Sequence, residues 1–295
     1  MCLRPMAMTF GLLGLFLAAC HPTTPIVRVD LNPPAIATQK VPDYAALVKA
    51  YNRNANAIDK LYVKTAVEMR WRDDKGRDRS EHGDGRLIFR RPLDTAFTVE
   101  FLGDVKLWAG SDERAFWLFD QLESGVAYHG DYSKPILRQM PLPVQPEAIP
   151  YLLGLMPIDA NKRPAAPEVE LVNGYAVIEP PGLNVRMQLH PETGRPTRID
   201  LIDAQGVSFL ICRLTEELVV SEADGETPAV VLAGKADLYP VGDTSRMTVT
   251  LKRVVNTKKI RGTWFRFEEL RSKLRPREVI SLNEGRLPRE RRSAR

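Results

Sequence analysis

Cysteine is scarce. The chain has three in 295 residues, Cys2, Cys20 and Cys212. Two lie in the first twenty residues, so the body keeps a single thiol and cannot rest on disulfides. Cys212 sits in the strand-like "GVSFLICRL", where a buried structural thiol fits better than a nucleophile. Long hydrophobic runs are missing too. The longest, "MTFGLLGLFLAA", ends at Ala19 and is shorter than the ~20 residues of a membrane-spanning helix. The four histidines (His21, His82, His129, His190) are scattered, with no H-E-x-x-H pattern; no metal site is expected. There is no G-x-S-x-G elbow, Walker loop or Rossmann glycine pattern. The chain is therefore expected not to be an enzyme and to need no cofactor. Asp73, Asp74, Asp78 and Asp84 cluster with Gly76 and Gly83, but the spacing of a calcium loop is absent and a solvated turn is the simpler reading.

What the first twenty residues do contain is ordered. Arg4 precedes the apolar run, which ends in "LAAC", Leu17 to Cys20. A charged start, a short apolar segment and small residues make a secretory signal. "LAAC" resembles the bacterial lipobox, which implies cleavage before Cys20 and a diacylglycerol thioether on it. Two or more acyl chains give stable anchoring where one does not. The alternative is an ordinary signal peptide whose cysteine is incidental. His21, rather than an aspartate, follows Cys20; the sorting rule of two-membrane bacteria then implies the outer membrane, facing the periplasm.

Charge is uneven. The chain carries +5, yet nine Lys/Arg oppose three Glu between Arg271 and Arg295, leaving residues 20–270 near neutrality. The basic residues form no structured patch, and an exported chain does not meet nucleic acid. The segment 257–295 reads as a basic, disordered tail with few large apolar residues. It suits an anionic surface or an envelope protein as partner.

Four regions follow: a signal peptide over 1–19, a Pro/Thr-rich tether over 20–42, a folded domain over 43–256 and the tail. A helix fits residues 43–60, with Asp43 as N-cap and Tyr44, Leu47, Val48, Tyr51, Ala55 and Ile58 at helical spacing. Clean alternation then marks strands. In "YVKTAVEMRWR", Val63, Thr65, Val67, Met69 and Trp71 share one face. Short breaks such as "LGD" and "DAQG" suit antiparallel hairpins. A second helix over about 146–155 divides two strand series. The expected fold is α+β, mainly β: one strongly curved antiparallel sheet of about 11–12 strands, an incomplete half-barrel, with helices on its concave side.

The order of elements resembles the lipoprotein-localisation-factor superfamily, which includes the carrier LolA, the receptor LolB and LppX-type lipid binders. The resemblance covers about residues 43–254. It rests on "GDGRLIFRRPLDTAFTVEF" (Gly83 to Phe101), "GSDERAFWLFD" (Gly110 to Asp120) and "HPETGRPTRIDLID". It implies an apolar cavity that holds acyl chains, and transfers no individual ligand residue. Candidate lining residues come from the aromatics of the first strand series and the apolar face of the second helix: Trp71, Phe97, Phe101, Trp108, Trp117, Leu152, Leu153 and Met156. The same residues also suit a plain core with the helices filling the space. Two functions stay open. One is a lipid-anchored envelope protein that binds a lipid or an acylated ligand, for trafficking. The other is a non-enzymatic scaffold lipoprotein with a filled cavity.

Overall fold

Asp43 starts the first helix as its spacing predicts. Its carboxylate accepts the Ala46 amide at 2.9 Å, and α1 runs Tyr44–Asn56. The helix stops four residues short of the expected end because Lys60 already begins β1 (Lys60–Arg72). The structure is a computed structural model that describes residues 35–36, 40–72, 75–121, 125–136, 144–165, 168–220, 230–255 and 259–284. The signal peptide, Cys20 and most of the tether lie outside those residues.

The first strand series is β1, β2 (Asp78–Arg90), β3 (Asp94–Phe101), β4 (Asp104–Ser111), β5 (Ala115–Asp120) and β6 (Val126–Asp131). The α2 turn (Ile149–Leu152) follows a 3-10 turn at Pro146–Ala148. The second series is β7 (Glu170–Val172), β8 (Tyr175–Ile178), β9 (Val185–Leu189), β10 (Pro196–Ile202), β11 (Ser208–Thr215), β12 (Leu218–Val220), β13 (Val230–Leu232), β14 (Lys235–Pro240) and β15 (Arg246–Val254). Then come α3 (Phe267–Leu274) and β16 (Glu278–Ser281).

Fourteen strands form one curved, open sheet in the order β16-β6-β5-β4-β3-β2-β1-β15-β14-β11-β10-β9-β8-β7. The long central strand β1 joins the halves, pairing with β2 on one side and β15 on the other. The inner face of the second half packs on α1 through Tyr44, Leu47, Val48 and Tyr51. The inner face of the first half packs under the 149–156 segment and under β12–β13, a hairpin outside the main sheet.

The mainly β, curved, open architecture is as expected, with three corrections. Sixteen strands among the described residues replace 11–12: β7, β12 and β16 are too short for a periodic signal, and the run "PAVVLAGKADLYP" gives both β13 and β14. The pairing is not wholly antiparallel, since β16 runs parallel to β6. Most important, residues 262–281 are not a disordered tail. Trp264, Phe265, Phe267, Leu270 and Leu274 cover apolar side chains on the outer face of β1–β6. Phe267 stacks on Phe119 with ring centres 5.4 Å apart, and Trp264 meets Tyr62 edge-on at 5.6 Å. Beyond α3, β16 extends the sheet edge, and Asn283 accepts the Asp131 amide at 2.7 Å. The segment is a strap from the middle of the sheet to its edge.

Candidate functional site: an apolar cavity under a fastened roof

Alternation in β2, β3 and β4 turns Leu87, Phe97, Val99, Leu107 and Ala109 inward, while β11, β14 and β15 supply Cys212, Ala236, Leu238, Met247 and Val249. Between the two sets lies a cavity of about 70 Å³, roofed by Val144, Ile149, Leu152 and Leu153. Every lining side chain is apolar apart from the Cys212 thiol, and that thiol faces the Leu152 carbonyl at 3.6 Å. Burial pushes the Cys212 thiol far up, so it stays protonated and acts as a small apolar group.

The volume matters. It is room for about two water molecules, far below the roughly 300–1,000 Å³ of a pocket for a drug-sized ligand. The roof is in place, and the space beneath it is nearly filled.

Polar side chains hold that roof at its trailing end. Tyr51 donates its hydroxyl to the Met156 carbonyl at 2.8 Å. Asn52 grips Ile158 twice, donating to its carbonyl at 2.7 Å and accepting its amide at 2.8 Å. Arg91 reaches furthest. Its guanidinium donates to the carbonyls of Ala55, Ile58 and Leu155, tying the end of α1 to the roof. Gly154, in the left-handed region at φ +68°, ends α2, and a Cβ there would meet Pro196 at 2.8 Å.

At the leading end sits a weaker point. Glu147 buries its Oε2 without a hydrogen-bond partner. Burial pushes its carboxyl above the usual carboxylate range, offset only in part by its own amide and the Tyr132 hydroxyl. A carboxyl raised on folding adds stability at low pH, and that stability is lost as pH rises through the raised value. Glu147→Gln is therefore expected to be more stable than the parent at pH 7, by on the order of 1 kcal/mol, with a correspondingly higher melting temperature, and to melt with the parent below the ordinary carboxylate range. Paired thermal melts across pH check this.

The predicted lining residues divide. Phe97, Leu152 and Leu153 line the cavity. Phe101 and Met156 pack half-buried on the same core. Trp71 stands near the end of β1, opposite Arg79 and outside the lining. Trp108 and Trp117 are corrections: they point to the outer face, where Phe267 and Leu270 cover them. Arg91 was not foreseen, since nothing in a sequence says which carbonyls an arginine will reach. Among the described residues no group of three or more His, Cys, Asp and Glu side chains is placed to hold a metal. No helix among them is long and apolar enough to cross a membrane.

No family model and no curated protein matches the sequence. Solved structures do. A domain described as an outer membrane lipoprotein-sorting protein, from Vibrio parahaemolyticus, aligns with TM-score 0.50 at 11% identity, over 77% of this chain and 99% of that one. The chain has a LolA/LolB-like fold. A LolA superfamily protein from Nitrosomonas europaea aligns at 0.48 and 10% identity, over 75% and 98%. A DUF1329 family protein from Desulfovibrio piger ATCC 29098 aligns at 0.48 and 11%, over 78% and 99%. At these identities the likeness is one of fold. The strap of residues 262–281 lies on the outer face of that LolA/LolB-like sheet, and the fastened roof on its inner face.

Proposed function

We propose that this is a lipid-anchored protein of the bacterial envelope that takes a lipid or acylated ligand between its sheet and the 144–158 roof. The observation that carries the reading is the purely apolar lining beneath a roof held by a few side-chain hydrogen bonds. An acyl chain does not fit the closed volume, so entry requires the roof to lift.

The anchor supports the same reading. Cys20 lies outside the described residues, but its tether meets the body at a defined point. The Ile36 amide donates to the Asn173 carbonyl at 3.0 Å in the β7–β8 turn. Fifteen residues lie between Cys20 and Ile36, a leash of at most about 55 Å when fully extended. Cys20→Ser is expected to abolish globomycin-sensitive processing and palmitate incorporation; label retained on the variant would sink the anchor.

The β3–β4 turn adds an apolar tip. Leu102 is fully exposed, at 106%, and holds φ +52° beside Gly103 in a two-residue turn. Such turns favour Asn-Gly, and a leucine there is strained. Its exposure suits contact with lipid or an acyl chain. Leu102→Asn is expected to raise stability by roughly 0.5–1 kcal/mol while weakening liposome association. Melts and vesicle flotation read the two opposite changes.

A scaffold lipoprotein with a filled core is the second reading, favoured by the 70 Å³ volume. Purified residues 21–295 separate the two. Lipid found by mass spectrometry, or displacement of a fluorescent fatty acid, supports the binding protein. A lipid-free protein that takes up no fatty acid leaves the scaffold.

A further inference from the structure

A second and larger space lies on the opposite face of the sheet. Residues 163–165, Glu168 and the outer face of β7–β10 line an open groove of about 680 Å³, well inside the range of small-molecule sites. The outward side chains Val177 of β8, Glu179 just beyond its end, Arg186 and Gln188 of β9, and Arg198 and Asp200 of β10 form its floor. We propose that this groove binds a neutral saccharide bearing hydroxyl and acetamido groups.

The first argument is an orphaned acceptor. Gln188 is only 4% exposed. Its Nε2 faces the Val172 carbonyl at 3.4 Å, and a carbonyl neighbour fixes which way the amide is turned. Its Oε1 is then buried with no partner. A buried carbonyl oxygen without a hydrogen bond is uncommon in a folded protein, and a ligand N–H or O–H would satisfy it.

The second argument is charge. Three arginines line the groove, and each is held by a carboxylate. Arg198 forks onto Asp200 with both distances 2.7 Å, and the Ser208 hydroxyl donates to the same carboxylate at 2.9 Å. Arg186 meets Glu179 at 2.6 Å, and Arg163 meets Glu168 at 3.4 Å. Glu170 makes a fourth carboxylate. With four acids against three bases, a phosphate or carboxylate ligand would face excess negative charge. A bare acyl chain would cover ion pairs and return no hydrogen bonds.

A neutral polyol fits both conditions, because each hydroxyl donates and accepts against fixed ion pairs. Val172, Val177, Pro164 and Pro181 offer apolar patches for ring C–H faces and an acetamido methyl. A peptide strand would add along the backbone edge of an end strand such as β7, and the groove lies on the sheet's face instead.

The test uses the full chain in detergent micelles, with tri-N-acetylchitotriose as the probe, followed by ligand-observed NMR and calorimetry. Binding at millimolar concentration is expected, weakened about tenfold by Gln188→Leu, the loss of roughly one hydrogen bond. Val177→Trp, which fills the groove without removing a buried polar group, is expected to abolish it, with an unchanged thermal melt. No binding to the parent overturns the proposal. So does binding that survives both variants, which places the sugar elsewhere. Binding of tri-alanine in the groove in place of the sugar also overturns it. Fatty-acid uptake by the inner cavity is read separately, so neither result decides the other.

Discussion

A chain ended at residue 258 is expected not to fold into a cooperative unit, although it retains the complete sheet except β16. The lost segment buries Phe265, Phe267, Leu270 and Leu282. At roughly 1.5–3 kcal/mol for each large apolar side chain, their removal costs about 6–12 kcal/mol. That spans most of the 5–15 kcal/mol typical of a whole domain. The truncation also bares Trp117 and Phe119, which are fully buried, and frees the edge of β6 for pairing with other chains. The measurement is a thermal melt with light scattering. A chain ended at residue 284 keeps every described contact and is expected to melt with the parent. A soluble, cooperatively melting 1–258 chain would show that the strap only decorates the sheet.

The strap also marks the limit of local sequence signals. β5, "AFWLFD", is apolar on both faces, and a strand that is apolar on both faces has cover on both. With helices expected on the concave side alone, the sequence places Trp108 and Trp117 among the candidates for the cavity. Their true cover stands about 150 residues away in "TWFRFEELRSKL", where interleaved charges mask a helical stripe of Phe267, Leu270 and Leu274. Local signals did better. The Asp43 cap, the α1 stripe and the alternation of β1 were legible because each depends on neighbours within one element. The cavity was half legible: Phe97, Leu152 and Leu153 follow from alternation and the helix face. Met247 and Val249 do not, because they arrive from β15 by pairing with β1, a register that no local pattern encodes.

The roof's fastening has the more consequential test. Arg91→Ala is expected to lower stability by at least about 3 kcal/mol, since hydrogen bonds from a charged group contribute roughly 1.5–3 kcal/mol each and three carbonyls lose their donor together. The nearby Asp59 carboxylate, 3.4 Å from Arg91 and 80% exposed, contributes little, so Asp59→Asn is expected to leave the melt unchanged. Arg91→Lys is expected to resemble the alanine variant, because a single ammonium cannot reach three carbonyls as a planar fork does. The functional effect has the opposite sign. A ligand that needs the roof open binds the closed protein more weakly in proportion to the open fraction. Of the three bonds only that to Leu155 ties the roof itself; losing it destabilises the closed form by roughly 1.5–3 kcal/mol and so raises apparent fatty-acid affinity by about 10- to 100-fold. Lower stability with tighter binding identifies the 144–158 segment as a lid over a lipid site. Lower stability with no gain in binding identifies it as core, and the chain is then the scaffold.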